Sequence, residues 1–326
     1  MSGAIGSADM DMDMDMDMDM STGMVVLGGG AQTRSIGVSP ALAKVTDPSG
    51  VTEEWFHGYK WPPADFQSQW VNAHPPANGF PRRYWDTQHL AIAVLGEFVQ
   101  VQTGGQPAWS QFVPQLTTLL PNTQAAVDAE LKELVELIEY RPGVMSEAIA
   151  QISNPWAYFR GILMCNSRSA PATHALVEIA SHIGQFQAMH YKMHFNRPRP
   201  SQYSPALLPP IDVPGHAAYP SGHATESLLI ALCLEQVMPA AANTPTLLVG
   251  GPAPDNPPPP FPGKSPLQQM ASRIARNREV IGLHFPSDSK AGRKLAEESF
   301  NILSQCRSIN HPVDGLIARA KLEWWP

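Results

Sequence analysis

The sequence predicts an all-α helical bundle, on three observations. From Thr87 onward, apolar residues recur every three or four positions in one segment after another. Two-residue alternation, the mark of a half-buried strand, is nearly absent. The periodic segments are separated by Pro, Gly, Asn and Asp, which stop or cap helices.

Residues 1–22 read as a disordered tail. Residues 9–20 repeat Asp-Met six times, and carboxylates on a two-residue period repel one another and cannot build a core. Metal binding by these side chains is the alternative use of the repeat. Residues 23–80 read as an irregular arm, rich in Gly and Pro, with Trp55, Tyr59, Trp61 and Trp70 available to pack on the main body. Residues 81–326 form the bundle. A first helix runs from Thr87 to about Gln102 behind a capping Asp86, with Leu90, Ala91, Val94, Leu95 and Phe98 on one stripe. A second spans Asn122 to Arg141, capped by Asn122, stopped by Pro142-Gly143, and buries Val127, Leu131, Leu134 and Ile138. A short helix follows from Val144 to Ser153. Ala172 to about His194 is long, with Leu176, Ile179, Ile183 and Phe186 at helical spacing. His223–Val237, Leu267–Leu283 and Ser289–Gln305 complete the set. Residues 239–266 hold Pro257–Pro260 and cannot be helical, so they form a long loop that serves as linker, lid or oligomer contact.

The bulk properties exclude several functions. With 326 residues, 43% of them hydrophobic, the chain fills a substantial core. Its net charge of −7 offers no broad basic face for nucleic acid. An acidic protein that binds an anion must therefore gather its cations locally. The longest apolar run, Leu228–Leu234, is far shorter than the about 20 residues a membrane span takes. No basic segment followed by an apolar run marks a secretory signal. Cys165, Cys233 and Cys306 are odd in number, widely spaced and set in apolar helical-looking stretches, so they read as buried free thiols in a reducing compartment. A soluble, cytoplasmic protein is expected, with no nucleic-acid partner, no membrane span, and a homodimer compatible with the aromatic arm and proline-rich loop.

Three segments carry chemistry. Lys192 and Arg199 sit at the end of the long helix, where the Arg fork can match two oxygens of one anion; the alternative is a basic helix end that complements the macrodipole. Tyr219-Pro220-Ser221-Gly222-His223-Ala224 precedes an apolar helix. Ser221 can cap it, Gly222 lets the backbone approach a ligand, and free N–H groups at a helix start favour an anion. The other reading is a capped helix with a surface histidine. Asn277-Arg278 leads to His284 at a helix end, where Pro286 would halt the turn. Asp288 lies within reach of one His284 ring nitrogen, leaving the other as a free lone pair; alternatively, Asp288 simply caps the last helix. Three cations beside these histidines would repel a divalent metal, so no divalent-metal site is expected.

Lys192-x6-Arg199-Pro200, Pro220-Ser221-Gly222-His223 and Arg278-x5-His284-x3-Asp288, in this order, resemble the superfamily that joins type 2 phosphatidic acid phosphatases, bacterial acid phosphatases and vanadium haloperoxidases. The third motif departs at Asn277, where the family has serine. The motifs cover residues 192–288 and leave the N-terminal half to pattern alone. The resemblance implies a helical bundle of the acid phosphatase/vanadium haloperoxidase type. It implies that Lys192, Arg199, Arg278, Ser221 and the Gly222 amide hold the oxygens of vanadate or phosphate. His284 would ligate vanadium or attack phosphorus, Asp288 would orient it, and His223 would serve as general acid and base. His216, seven residues before His223, looks like the second histidine of the bromoperoxidases. Met189 stands where haloperoxidases tend to place Trp or Arg, which makes both positions candidate substrate contacts. The implied reaction is halide oxidation by hydrogen peroxide. Its alternative is metal-independent hydrolysis of a phosphate ester through a phosphohistidine, and a third is an anion-binding protein without catalysis.

Overall fold

The computed structural model describes residues 85–152, 154–238 and 265–324, with two short strands before them. The chain divides into two compact units, Met1–Tyr84 and Trp85–Pro326. In the first unit β1 (Lys44–Thr46) and β2 (Thr52–Glu54) pair antiparallel, with Val45 opposite Glu53. The Asp-Met tail 1–22, the remainder of the 23–80 arm and the proline-rich residues 239–264 lie outside the described residues.

Helix accounts for 70% of the described residues and strand for 2%, so the class is all-α. Helix α1 (Thr87–Gln100) starts where Asp86 Oδ1 accepts the Gln88 and His89 amides at 3.0 and 3.2 Å. Helix α2 (Gln124–Glu136) is capped by Thr123 rather than Asn122 and ends earlier than expected, passing into a tight turn. Pro142 does not stop a helix here. It occupies the second position of α3 (Arg141–Ala150), where a missing N–H costs nothing. Helix α4 (Trp156–Leu163) was not foreseen; Asn154 Oδ1 accepts the Ala157 amide at 2.8 Å and starts it.

Helices α5 (Pro171–Phe195), α6 (Gly222–Glu235), α7 (Pro266–Val280) and α8 (Pro286–Leu303) form the body. Pro266 and Pro286 are first-turn residues that open α7 and α8; Pro286 does not halt a helix that carries His284. A final helix, α9 (Leu316–Trp324), also escaped the pattern reading. Helix α6 lies at the centre and packs on α5, α7 and α8. Leu228, Leu229, Ile230, Ala231, Cys233 and Leu234 are buried around its whole girth, as expected of a helix without a wet face. Each such Leu or Ile stabilises the fold by about 1.5–3 kcal/mol. Gly292 brings α8 against the start of α6: a Cβ there would meet Ser221 O at 2.6 Å and Ala224 Cβ at 2.9 Å.

The N-cap position of helix α5 is Ala170, whose methyl group cannot accept a hydrogen bond. Glu323 of α9 supplies the cap, accepting the Ala172 and Thr173 amides at 2.6 and 2.9 Å and the Thr173 hydroxyl at 2.7 Å. All three cysteines are free and buried, although Cys165 and Cys306 lie outside the long helices and only Cys233 lies within one. No helix among the described residues is long and apolar enough to cross a membrane.

Candidate functional site

Lys192 leaves the last turn of α5 and is 2% exposed. Its Nζ donates to Ala217 O at 2.7 Å and Ala218 O at 3.0 Å, which uses two of its three protons. Burial, and then the charge of Arg199, hold its pKa well below that of an ordinary lysine. Arg199, equally buried, donates from Nε to His216 O at 3.0 Å and from Nη1 to Leu283 O at 2.9 Å. Its Nη1 also lies 3.2 Å from His284 Nε2, and Nη2 lies 2.9 Å from His216 Nδ1. A guanidinium can only donate, so both ring nitrogens are acceptors there.

His284 stands in the turn between α7 and α8. Gly282 (φ +77°) makes that turn, a conformation glycine adopts without strain. His284 Nδ1 faces Asp288 Oδ2 at 3.2 Å, so its proton sits on Nδ1 and its lone pair on Nε2 points at Arg199. Asp288 is fully buried in the first turn of α8. It is not the N-cap, which is Phe285; its Oδ2 instead accepts the Phe285 amide at 2.9 Å. Burial raises its pKa to about 6 against the opposing charge of Arg197.

Ser221 caps α6 by accepting the Ala224 amide at 3.4 Å, and its own amide donates to Asp288 O at 3.0 Å. Gly222 is the first residue of α6, so its amide is one of the first-turn donors that have no acceptor within the helix. His223 follows, half-buried, with Nε2 2.9 Å from Gln151 O. A carbonyl can only accept, so His223 carries its proton on Nε2 and its lone pair on Nδ1. Arg278, 1% exposed, donates Nη2 to Ala148 O, while its Nε and Nη1 have no partner among the described residues.

These side chains act on one another. Burial and then Arg199, Lys192, His223 and His216 all disfavour a proton on His284. Burial and then Arg278 push His223 down to about 3, with Lys192 and Arg199 contributing. Loss of solvent on the ring's inner side, followed by Lys192 and Arg199, brings the otherwise exposed His216 down to about 4. The expected residues Lys192, Arg199, His216, Ser221, Gly222, His223, Arg278, His284 and Asp288 are therefore neighbours. Met189 is the exception: it stays on α5, 43% exposed, with no described contact to the cluster. The cavities of about 540 and 410 Å³ around Leu119 and Lys294 belong elsewhere, since none of these residues lines them.

Several contributors escaped sequence reading. Arg197 is buried, with Nη1 2.6 Å from Asp288 Oδ1 and Nη2 2.9 Å from Glu130 Oε2, and its guanidinium lies 3.8 Å over the Phe285 ring. Glu130 of α2 also accepts the Ser287 amide at 2.6 Å. Arg141 clamps two site segments, donating to Val280 O at 3.0 Å, Leu208 O at 2.8 Å and Leu207 O at 2.7 Å. The C-terminal end of α3 offers the Ala148 and Gln151 carbonyls as one wall. No local signal marks backbone acceptors or partners this far apart in sequence.

Comparison with known proteins adds no assignment: no protein-family model matches the chain, and no curated protein matches it.

Proposed function

We propose that this cluster holds a tetrahedral oxyanion and that the chain is a vanadate-dependent haloperoxidase-like enzyme, its bundle of the acid phosphatase/vanadium haloperoxidase type. The observation that carries the reading is Arg278, whose buried Nε and Nη1 meet no acceptor among the described residues, beside Lys192, Arg199 and two neutral histidines. Unpaired buried donors on a cation are costly, and a multiply charged oxyanion is the partner that satisfies them. The residues fit vanadate: Lys192, Arg199, Arg278, Ser221 and the Gly222 amide would hold its oxygens, with His284 Nε2 as the nitrogen ligand. When bound, vanadate supplies the Lewis-acid chemistry by which hydrogen peroxide oxidises a halide.

The chain's own residues have defined tasks. Asp288 keeps the His284 proton on Nδ1 and so keeps Nε2 available. Arg199 and Lys192 compensate incoming negative charge. His223, neutral with a free Nδ1, takes up a proton from an incoming acid and returns it. His216, fixed on Arg199, supports the haloperoxidase reading by bringing a second histidine to the rim of the site.

The opposite tautomers of His284 and His223 support a second reading, phosphate-ester hydrolysis. His284 Nε2 would attack phosphorus, forming a P–N bond as the ester P–O bond breaks. His223, protonated on Nδ1 once a dianion offsets the surrounding cations, would give that proton to the leaving alcohol. Water would then release phosphate from His284.

The deciding experiment is a pair of assays, dye bromination with peroxide and aryl-phosphate hydrolysis, each with and without vanadate. The haloperoxidase reading expects bromination only after vanadate is added. The phosphatase reading expects hydrolysis in a chelator, inhibited by vanadate. Vanadate-loaded protein that brominates nothing ends the first reading. Tight phosphate binding with neither reaction leaves a non-catalytic anion-binding protein.

A further inference from the structure

Asn277 stands where the resembling family has serine, and its surroundings give that departure a use. It is 3% exposed, on α7, one residue before Arg278. Its Nδ2 donates to Gln151 Oε1 at 2.9 Å and Glu147 Oε1 at 3.0 Å. Gln151 Nε2 closes the ring by donating to Glu147 Oε1 at 2.8 Å. Glu147 is pinned in turn by Arg273, whose Nε lies 2.8 and 2.9 Å from its two oxygens. Four side chains, Asn277 and Arg273 of α7 with Glu147 and Gln151 at the end of α3, thereby fasten the last turn of α3 to α7. That turn ends in Gln151, the helix C-cap, whose carbonyl receives His223 Nε2. A serine at 277 has one short hydroxyl and cannot span both acceptors.

We infer that Asn277 and Gln151 are positioning residues for His223: by fastening the end of α3 they set the Gln151 carbonyl, which fixes the His223 proton on Nε2 and makes Nδ1 the nitrogen that works on the substrate. The carbonyl belongs to a helix C-terminus, whose partial negative charge also favours a proton-bearing ring beside it. The sequence departure at 277 is then part of how this chain holds its acid–base histidine. The claim rests on the oxyanion reading for its catalytic meaning but not for its geometry.

The test compares wild-type, Asn277→Ala, Asn277→Ser and Gln151→Met full-length proteins. Gln151→Met keeps the backbone carbonyl while removing the side-chain link, and it remains informative if the Asn277 variants fold poorly. Nitrogen-15 NMR of the histidine rings, with His223 assigned through His223→Gln, reads the tautomer without any need for turnover. The expected wild-type signal is a single Nε2–H form. All three variants should give mixed tautomers. In whichever assay is active, kcat should fall about tenfold, with inorganic phosphate or vanadate affinity within about twofold of wild type. A wild-type Nδ1–H ring, or variants that keep the wild-type tautomer and kcat, would overturn the inference. If wild type binds phosphate but turns over neither substrate, the enzyme reading fails while the tautomer comparison still decides the positioning.

Discussion

Arg197 is gripped on three sides, by Asp288, Glu130 and the Phe285 ring. Asp288 in turn spends one oxygen on Arg197 and the other on His284 and the Phe285 amide. Removing the guanidinium would leave a buried carboxylate without its main counter-charge and free it to swing from His284. Arg197→Ala should therefore cost about 3–5 kcal/mol of stability, read by urea unfolding. Adding Asp288→Asn should restore part of that loss, because the orphaned charge goes with it. Strictly additive losses would show that the pair is not coupled and that the account of Asp288 is wrong.

At the level of elements, the site depends on how closely α8 approaches α6. Gly292 is the contact point, and Ser221, which its Cβ would strike, also bonds Asp288 through its amide. Gly292→Ala should lower stability by about 1–3 kcal/mol and weaken phosphate binding together. Wild-type thermal midpoint and affinity in that variant would refute this packing argument. Periodicity made α1, α5, α6, α7 and α8 legible because each presents a regular apolar stripe or girth to one core. It failed where tertiary contacts decide. Pro142-Gly143 reads locally as a stop, yet Arg141 is held by carbonyls from residues 207, 208 and 280, so the chain starts α3 there. Helices α4 and α9 are short and escaped for the same reason: their neighbours, not their own pattern, complete them. The cationic and imidazole side chains of the site were legible from three spaced motifs. The carbonyl wall of α3 was not, since a backbone oxygen has no identity in sequence.

Over the whole molecule, the cluster couples folding to acid. His223 is lowered to about 3 and His216 to about 4 from an ordinary value of 6.5, and His284 is lowered as well. Below pH 6.5 the unfolded chain takes up protons at these rings that the folded chain refuses, so stability falls as pH falls toward 4. Lys192, also lowered, acts in the same direction between its ordinary 10.5 and its lowered value. Asp288, raised from 3.8 to about 6, and Glu279, also raised by burial, act oppositely within that window, two carboxyls against the three rings. Urea midpoints should therefore drop between about pH 6.5 and pH 5. Phosphate at a hundredfold excess over its Kd should add about 2.7 kcal/mol and flatten the decline. A midpoint that rises on acidification, or ignores phosphate, would contradict this. The Glu323 cap has a consequence for biosynthesis. Helix α5, 25 residues long, delivers Lys192 from its far end, but its own start is completed by a carboxylate made about 150 residues later. A ribosome must add those residues before the start of that helix is anchored, so the nascent chain carries an unfinished lever through that whole stretch of synthesis.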